Sequence, residues 1–191
     1  MNKEKPKLIP VIVPWMISAS VPFLRLHEDK NGIPHSATFI AFFQCDNVLL
    51  SPPTNNLPQK IVEPKDFISS KQDEKAPFHF IRVIFINPIA GRVCRSFSDL
   101  QIIPEDEYNW SAVLSELKPG ETIEMNINRR RIEWLKTGVC LDPRMYEVFN
   151  SAWLHEIGQS EKGMHHYLLL GHDEYVEVIA GDWIWEKGQL S

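Results

Sequence analysis

A group of titratable side chains near the end of the chain has residue types that could perform acid–base or metal chemistry. The group consists of His165, His166, His172, Asp173, Glu174 and Glu177. Imidazole and carboxylate groups bind metal ions, and they also exchange protons in general acid–base catalysis. One hypothesis is therefore a metal-assisted or acid–base hydrolase, whose candidate catalytic residues are His165, His166, His172 and Asp173.

Strand geometry argues against a single site for these residues. Neighbours in a strand face opposite sides, so His165 and His166 would point apart, and His166 would lie roughly 20 Å from His172 at about 3.3 Å per residue. Two ligands of one metal ion cannot be that distant, so a site requires the chain to fold back near Gly171. We favour a hairpin with solvated polar ends, and we therefore expect no metal and no cofactor.

Known catalytic motifs are missing from the sequence. It contains no glycine-rich phosphate loop, GxGxxG, GxSxG, HExxH or EF-hand pattern. Cys94 lies between Arg92 and Arg95, and nearby cations would lower the pKa of its thiol. A cysteine in an apolar strand is usually inert, however, and no partner histidine can be identified for it. These observations favour a protein that is not an enzyme.

Three consecutive arginines followed by a tryptophan could form a recognition surface. The candidate binding residues here are Arg129, Arg130, Arg131 and Trp134. If a helix began near Asn128, each arginine would oppose the helix dipole by about 0.3–1 kcal/mol, which would suggest a functional reason for them. Alternatively, a strand continues through this segment and the arginines pair with the excess carboxylates of the chain.

Trp183 and Trp185 are further candidate binding residues. They occupy alternate positions, so they share one face of the last predicted strand. An aromatic pair on one face could bind a partner, although tryptophans at strand spacing more often belong to the core.

Composition restricts the class of protein. The 191 residues are 43% hydrophobic and 24% charged, which fits one globular domain spanning residues 1–191. The net charge of −5 makes nucleic acid an unlikely ligand by bulk charge, and it fits a protein partner with a basic or mixed-charge surface. The three cysteines form no CxxC pair, so a reducing, cytoplasmic location is the default expectation.

An apolar run at residues 8–17 follows three lysines and could be a cleaved leader. Pro10 and Pro14 interrupt this run, and an edge strand tolerates proline better than a leader helix does. We therefore favour an edge strand. No run in the chain approaches the ~20 apolar residues of a membrane span, so we expect no membrane association.

Hydrophobic periodicity predicts the order of the elements. Strands are predicted at 21–26, 37–44, 78–87, 92–97, 122–128, 167–170, 175–180 and 182–186, with 92–97 paired to 78–87. Helices are predicted at 105–118 and after Asp142, where Pro143 would occupy the first turn. Residues 51–77 form a polar connecting segment that could separate two lobes.

These patterns predict an α+β fold: a mainly antiparallel sheet of about seven strands with two or three packed helices. The leading hypothesis for function is a non-enzymatic cytoplasmic binding module that acts by contact with another macromolecule, of a toxin-neutralising or regulatory type. The alternative is the hydrolase described above. A weaker alternative is RNA or single-strand binding through the arginines and Trp134, whose affinity should fall steeply with salt.

Overall fold

The computed structural model describes residues 4–43, 78–95, 107–113, 117–158 and 162–187. The strands are β1 Lys7–Pro10, β2 Trp15–Ile17, β3 Leu24–Glu28, β4 Pro34–Phe43, β5 Phe78–Ile86, β6 Ala90–Arg95, β7 Met145–Phe149, β8 His165–Leu170, β9 Glu174–Ala180 and β10 Asp182–Lys187. The helices are α1 Ile123–Thr137 and α2 Ala152–Glu156. The polar connecting segment 51–77 lies outside the described residues.

The strands form two antiparallel sheets of five strands each. In the first sheet the order is β1-β7-β8-β9-β6, and in the second it is β10-β5-β4-β2 with β3 also paired to β4. The predicted sheet-dominated, antiparallel α+β class is confirmed. The predicted number of about seven strands is too low, because the described residues form ten strands. Among them no helix has the length and apolarity needed to cross a membrane.

The main core lies between the two sheets. Side chains alternate along β8 and β9, so Tyr167, Leu169, Val176 and Val178 face the second sheet. Facing residues of the second sheet complete this cluster, and they include Trp15, Ile17, Ala37, Phe39, Ala41, Ile81, Val83 and Phe85. Both short strands from the apolar run at residues 8–17, β1 and β2, contribute fully buried side chains to the fold.

The outer face of the first sheet carries a second, smaller apolar cluster. Segment 107–113 packs against this face through Tyr108, Trp110 and Val113. The residues of the face that it covers include Leu8, Tyr146 and Leu168. The prediction of a helix at 105–118 is wrong for this segment, which consists of turns. Asn109 accounts for the difference, because its Oδ1 accepts the Ser111 N–H at 3.0 Å and its backbone pairs with residues on either side of Lys7.

The predicted strand at 122–128 is wrong, since these residues begin α1. Thr122 caps the helix by accepting the Met125 N–H at 3.2 Å, Glu124 lies in the first turn, and Gly138 ends the helix with φ 71°. These capping signals outweigh the alternation of Ile123, Met125 and Ile127, all of which are exposed.

The predicted helix after Asp142 is also wrong. Arg144 has φ 58°, in the left-handed region, so no helix can continue from Pro143. The chain instead enters β7, which pairs with β1 and β8, and only the short helix α2 follows. The apolar spacing that predicts one helix is therefore divided between a strand and a helix.

The connections at the end of the chain follow the sequence more closely. β8 and β9 form the hairpin expected around Gly171, and β3 and β4 form the hairpin expected at residues 31–34. The expected pairing of 92–97 with 78–87 is wrong, because β6 pairs with β9 in the first sheet and β5 belongs to the second sheet. This pairing brings β6 beside the titratable residues of β9.

Because Leu169 is fully buried between the sheets, we expect Leu169→Ala to lower the free energy of unfolding by about 2–5 kcal/mol. The control Ile127→Ala, at a position 59% exposed on α1, should change it by less than about 0.5 kcal/mol. Urea denaturation measures both values. Similar losses in the two variants would contradict the placement of the core.

Candidate functional site

The structure divides the predicted histidine cluster into three separate pairs. His165 Nδ1 lies 2.6 Å from Glu147 Oε1, His166 Nδ1 lies 2.8 Å from Ser151 Oγ, and His172 Nδ1 lies 2.5 Å from Asp173 Oδ1. His165 and His166 face opposite sides of the first sheet, while His172 and Asp173 lie in the β8–β9 turn. In the described parts of the chain no group of three or more His, Cys, Asp or Glu side chains could hold a metal ion.

Glu177 is the centre of a buried polar cluster on the outer face of the first sheet. Its side chain is fully buried, yet three polar groups reach its carboxylate. Arg92 Nε donates to Oε2, Tyr108 Oη donates to Oε1 at 3.0 Å, and His166 Nε2 lies 3.2 Å from Oε1. The last contact is close enough for an ion pair but is not aligned as a hydrogen bond.

Strand register brings these groups together. Arg92 on β6 is directly opposite Glu177 on β9, and His166 on β8 is two positions from Leu168, the partner of Glu177 on that strand. Tyr108 arrives from segment 107–113, which covers the same face. Four separate segments of the chain therefore supply one cluster. Apart from Glu177 and the histidines, sequence reasoning missed these residues, because only the register makes them neighbours.

The charge state of Glu177 follows from its contacts. Burial alone would raise the pKa of this carboxyl group, but the contacts with His166 and Arg92 outweigh burial and hold the pKa at about 2. The bond to Glu177 in turn raises the pKa of Arg92. Burial and the nearby carboxylate raise the pKa of Tyr108, so its hydroxyl stays protonated and able to donate. Glu177 is thus a buried carboxylate compensated by Arg92.

Ser151 extends the cluster on the other side of His166. Ser151 Oγ accepts the Leu154 N–H at 3.1 Å and so caps α2. The hydroxyl proton of Ser151 is therefore free to be donated to His166 Nδ1, whose other ring nitrogen faces Glu177. The hydroxyl thus contacts the imidazole, and the imidazole contacts the carboxylate. This is the order of residue types that activates a serine nucleophile. Sequence reasoning missed Ser151 because it placed this residue inside a helix.

Trp153 holds the imidazole and the guanidinium of this cluster in place. Its ring lies edge to face with His166, with centroids 5.2 Å apart and planes at 84°. Arg92 Cζ lies 4.5 Å from the centre of the same ring, in a cation–π contact. The indole of Trp153 on α2 is therefore in contact with two of the three groups that touch Glu177.

A groove of about 810 Å³ adjoins the cluster. It lies between residues 4–6, the end of β7, α2 and the start of β8, and its lining residues include Glu147, Phe149, Ser151, His155, His165 and His166. Ser151 and His166 are only 7% and 3% exposed, so the groove is where both residues meet the molecular surface.

Cys94 does not have the environment of a reactive thiolate. Burial raises the pKa of its thiol, and the Glu177 carboxylate raises it further, against the smaller effect of Arg92. The thiol points toward Glu177 Oε2 across 3.8 Å. Arg92 does act to lower this pKa as expected, but burial outweighs it, so the pKa of the Cys94 thiol is raised rather than lowered.

The arginines of α1 lie in the middle of the helix rather than at its start. Arg129 makes two hydrogen bonds to Glu121, at 2.8 and 3.2 Å, and Arg130 lies 3.8 Å from Asp142. Because α1 begins at Ile123, these charges do not oppose the helix dipole. The alternative of a continuing strand is also wrong, although two of the arginines do pair with carboxylates as that alternative expects.

The candidate binding tryptophans face the core. Trp134 is 7% exposed, and its Nε1–H donates to the Pro14 carbonyl at 3.1 Å. Trp183 and Trp185 are partly buried against the main core, and Trp185 lies edge to face with Trp15 at 6.1 Å. None of these three rings forms an exposed surface patch with the arginines of α1.

We expect Glu177→Gln to lower the free energy of unfolding at pH 7 by roughly 3 kcal/mol, because it removes the buried carboxylate whose pKa the folded contacts lower to about 2 and with which Arg92 pairs. The folded-state pKa of Glu177 is lowered, so its ionised form stabilises the fold above about pH 4.5. That stabilisation is lost as the pH falls toward 2, so the difference between wild type and variant should shrink in this range. Urea denaturation at several pH values measures the difference in the free energy of unfolding between wild type and variant.

Glu147→Gln is the matched control, since this half-exposed carboxylate pairs with His165 rather than with the groups around Glu177. It should cost less than about 1 kcal/mol at every pH. A pH-independent difference between wild type and Glu177→Gln would show that the folded protein does not lower the pKa of Glu177.

Comparison with known protein families, with curated proteins and with solved structures finds no match to this chain. No activity, ligand or partner can therefore be transferred to it from a relative. The function has to be argued from the side chains that the fold exposes and from those that it brings together.

Proposed function

We propose that this chain is a cytoplasmic binding module that contacts another protein through the exposed face of α1. The observation that supports the proposal is the burial of α1: of its 15 residues only Asn126 and Trp134 are buried. Large apolar side chains on the rest of the helix remain exposed, which is unusual for the surface of a protein that has no partner.

Three of these side chains form an apolar stripe on α1, defined by Met125, Asn128, Ile132 and Leu135. The apolar members are 56%, 50% and 43% exposed. The four residues are three, four and three positions apart, the spacing that pairs one helix with another. Asn128 within the stripe would fix the register of such a pair at some cost in stability. The spacing therefore supports an amphipathic helix of another protein as the occupant.

Charged residues beside the stripe indicate a partner whose surface carries charges of both signs. Glu124 and Glu133 are exposed on α1 together with Arg131 and Lys136. Charges of both signs at the rim of an apolar contact orient a partner and exclude wrong ones. A contact of this kind serves neutralisation or regulation of the bound protein.

We expect the double variant Ile132→Glu/Leu135→Glu to weaken binding of the partner by at least about 100-fold, because two carboxylates would be buried in an apolar contact. Ile123→Glu is the matched control: it adds the same charge to the same helix at a position 71% exposed and outside the stripe. The experiment captures proteins from the source cells with each variant and then reconstitutes the complex from purified components.

Support requires that wild type and Ile123→Glu retain the same protein in a one-to-one complex and that the double variant loses it. Equal retention by the double variant would exclude the stripe. Light scattering tests self-association: a wild-type dimer that becomes monomeric in the double variant would show that the stripe binds a second copy instead.

A further inference from the structure

Ser151, His166 and Glu177 form a connected set that the α1 contact does not use. Ser151 Oγ lies 2.8 Å from His166 Nδ1, and His166 Nε2 lies 3.2 Å from Glu177 Oε1. The first two residues line the groove of about 810 Å³ beside α2. We propose that Ser151 is a nucleophile that hydrolyses small carboxylic esters bound in this groove, with His166 as its general base.

The hydrogen bonds of Ser151 suit this role. Its oxygen accepts the Leu154 N–H and its proton is directed at His166 Nδ1, which leaves the second lone pair of Oγ available for attack. A hydroxyl bonded to an unprotonated imidazole nitrogen is the activated form of a serine nucleophile. Trp153, in edge-to-face contact with the imidazole, limits rotation of the ring away from Ser151.

Glu177 acts through His166 and is a positioning residue. Its carboxylate faces Nε2, so it favours the tautomer that keeps Nδ1 unprotonated, and it stabilises the imidazolium formed when Ser151 loses its proton. Arg92 and Tyr108 fix the carboxylate from the other side. The two ring nitrogens thus have different tasks, proton transfer at Nδ1 and charge stabilisation at Nε2.

The reaction balances with water as the second reactant. Ser151 Oγ bonds to the ester carbonyl carbon as its proton passes to Nδ1; the tetrahedral intermediate then expels the alcohol, which takes that proton. Water next attacks the acyl-serine, giving one proton to Nδ1 and releasing the carboxylic acid as the proton returns to Oγ. The net change is one ester and one water converted to one acid and one alcohol.

The groove indicates the class of ester. Its volume lies within the roughly 300–1,000 Å³ of small-molecule sites. The apolar residues Val148, Phe149, Leu154 and Met164 are among those that line it, while Glu147 and His165 form a polar pair in the same lining. An ester with a short apolar acyl chain matches these surroundings.

The test uses the full chain with two probes, p-nitrophenyl butyrate as substrate and a fluorophosphonate as a covalent label for activated serines. We expect one label per chain, found on the peptide that contains Ser151. Ser151→Asn should lose both labelling and hydrolysis by at least 50-fold while it keeps a capping side chain for α2. His166→Gln should show the same loss, and circular dichroism verifies the fold of each variant.

His172→Gln is the matched control, because this exposed histidine lies in the β8–β9 turn away from the groove and should leave both signals unchanged. Glu177→Gln should lower kcat by at least tenfold with little change in KM in its folded fraction, which a structural role alone would not produce. No label at Ser151, a label elsewhere, or full hydrolysis by Ser151→Asn would overturn the proposal.

Discussion

The first sheet depends on the compensation of one buried charge, the carboxylate of Glu177. A carboxylate without contact to solvent is tolerated only if opposite charge and hydrogen-bond donors surround it. Arg92, Tyr108 and His166 supply them from β6, segment 107–113 and β8. The charge is therefore satisfied only when β6 and β8 flank β9 and segment 107–113 covers the outer face.

Strand β9 shows how one segment serves two opposite requirements. Val176, Val178 and Ala180 face the second sheet and belong to the main core, while Glu177 faces outward into the polar cluster. The period of two in a strand separates the apolar and ionic contacts completely, so neither weakens the other. A shift of one residue in the pairing of β6 with β9 would turn Arg92 to the other face of the sheet, away from Glu177, and this penalty favours the observed register.

The strands that were predictable from sequence are those whose apolar residues dominate locally, such as β4, β5 and the β8–β9 hairpin. The errors arise where a single side chain decides the backbone: Thr122 caps α1, Asn109 forms a turn, and Arg144 takes a left-handed conformation. The cluster could not be predicted, because Arg92 and Glu177 are 85 residues apart and become neighbours only through register. Ser151 depends in the same way on the end of β7.

Stability alone gives a weak reason for this cluster. Well-packed apolar side chains often replace a buried ion pair at no cost, so the contacts around Glu177 stabilise the fold chiefly by comparison with an uncompensated carboxylate. An apolar residue at position 177 would remove the need for Arg92 and for the hydroxyl of Tyr108. What it would also remove is the negative charge facing His166 Nε2. An imidazole that takes a proton from Ser151 would then have no negative charge beside it. The buried carboxylate therefore matters more for the residues at the groove than for the packing of the core.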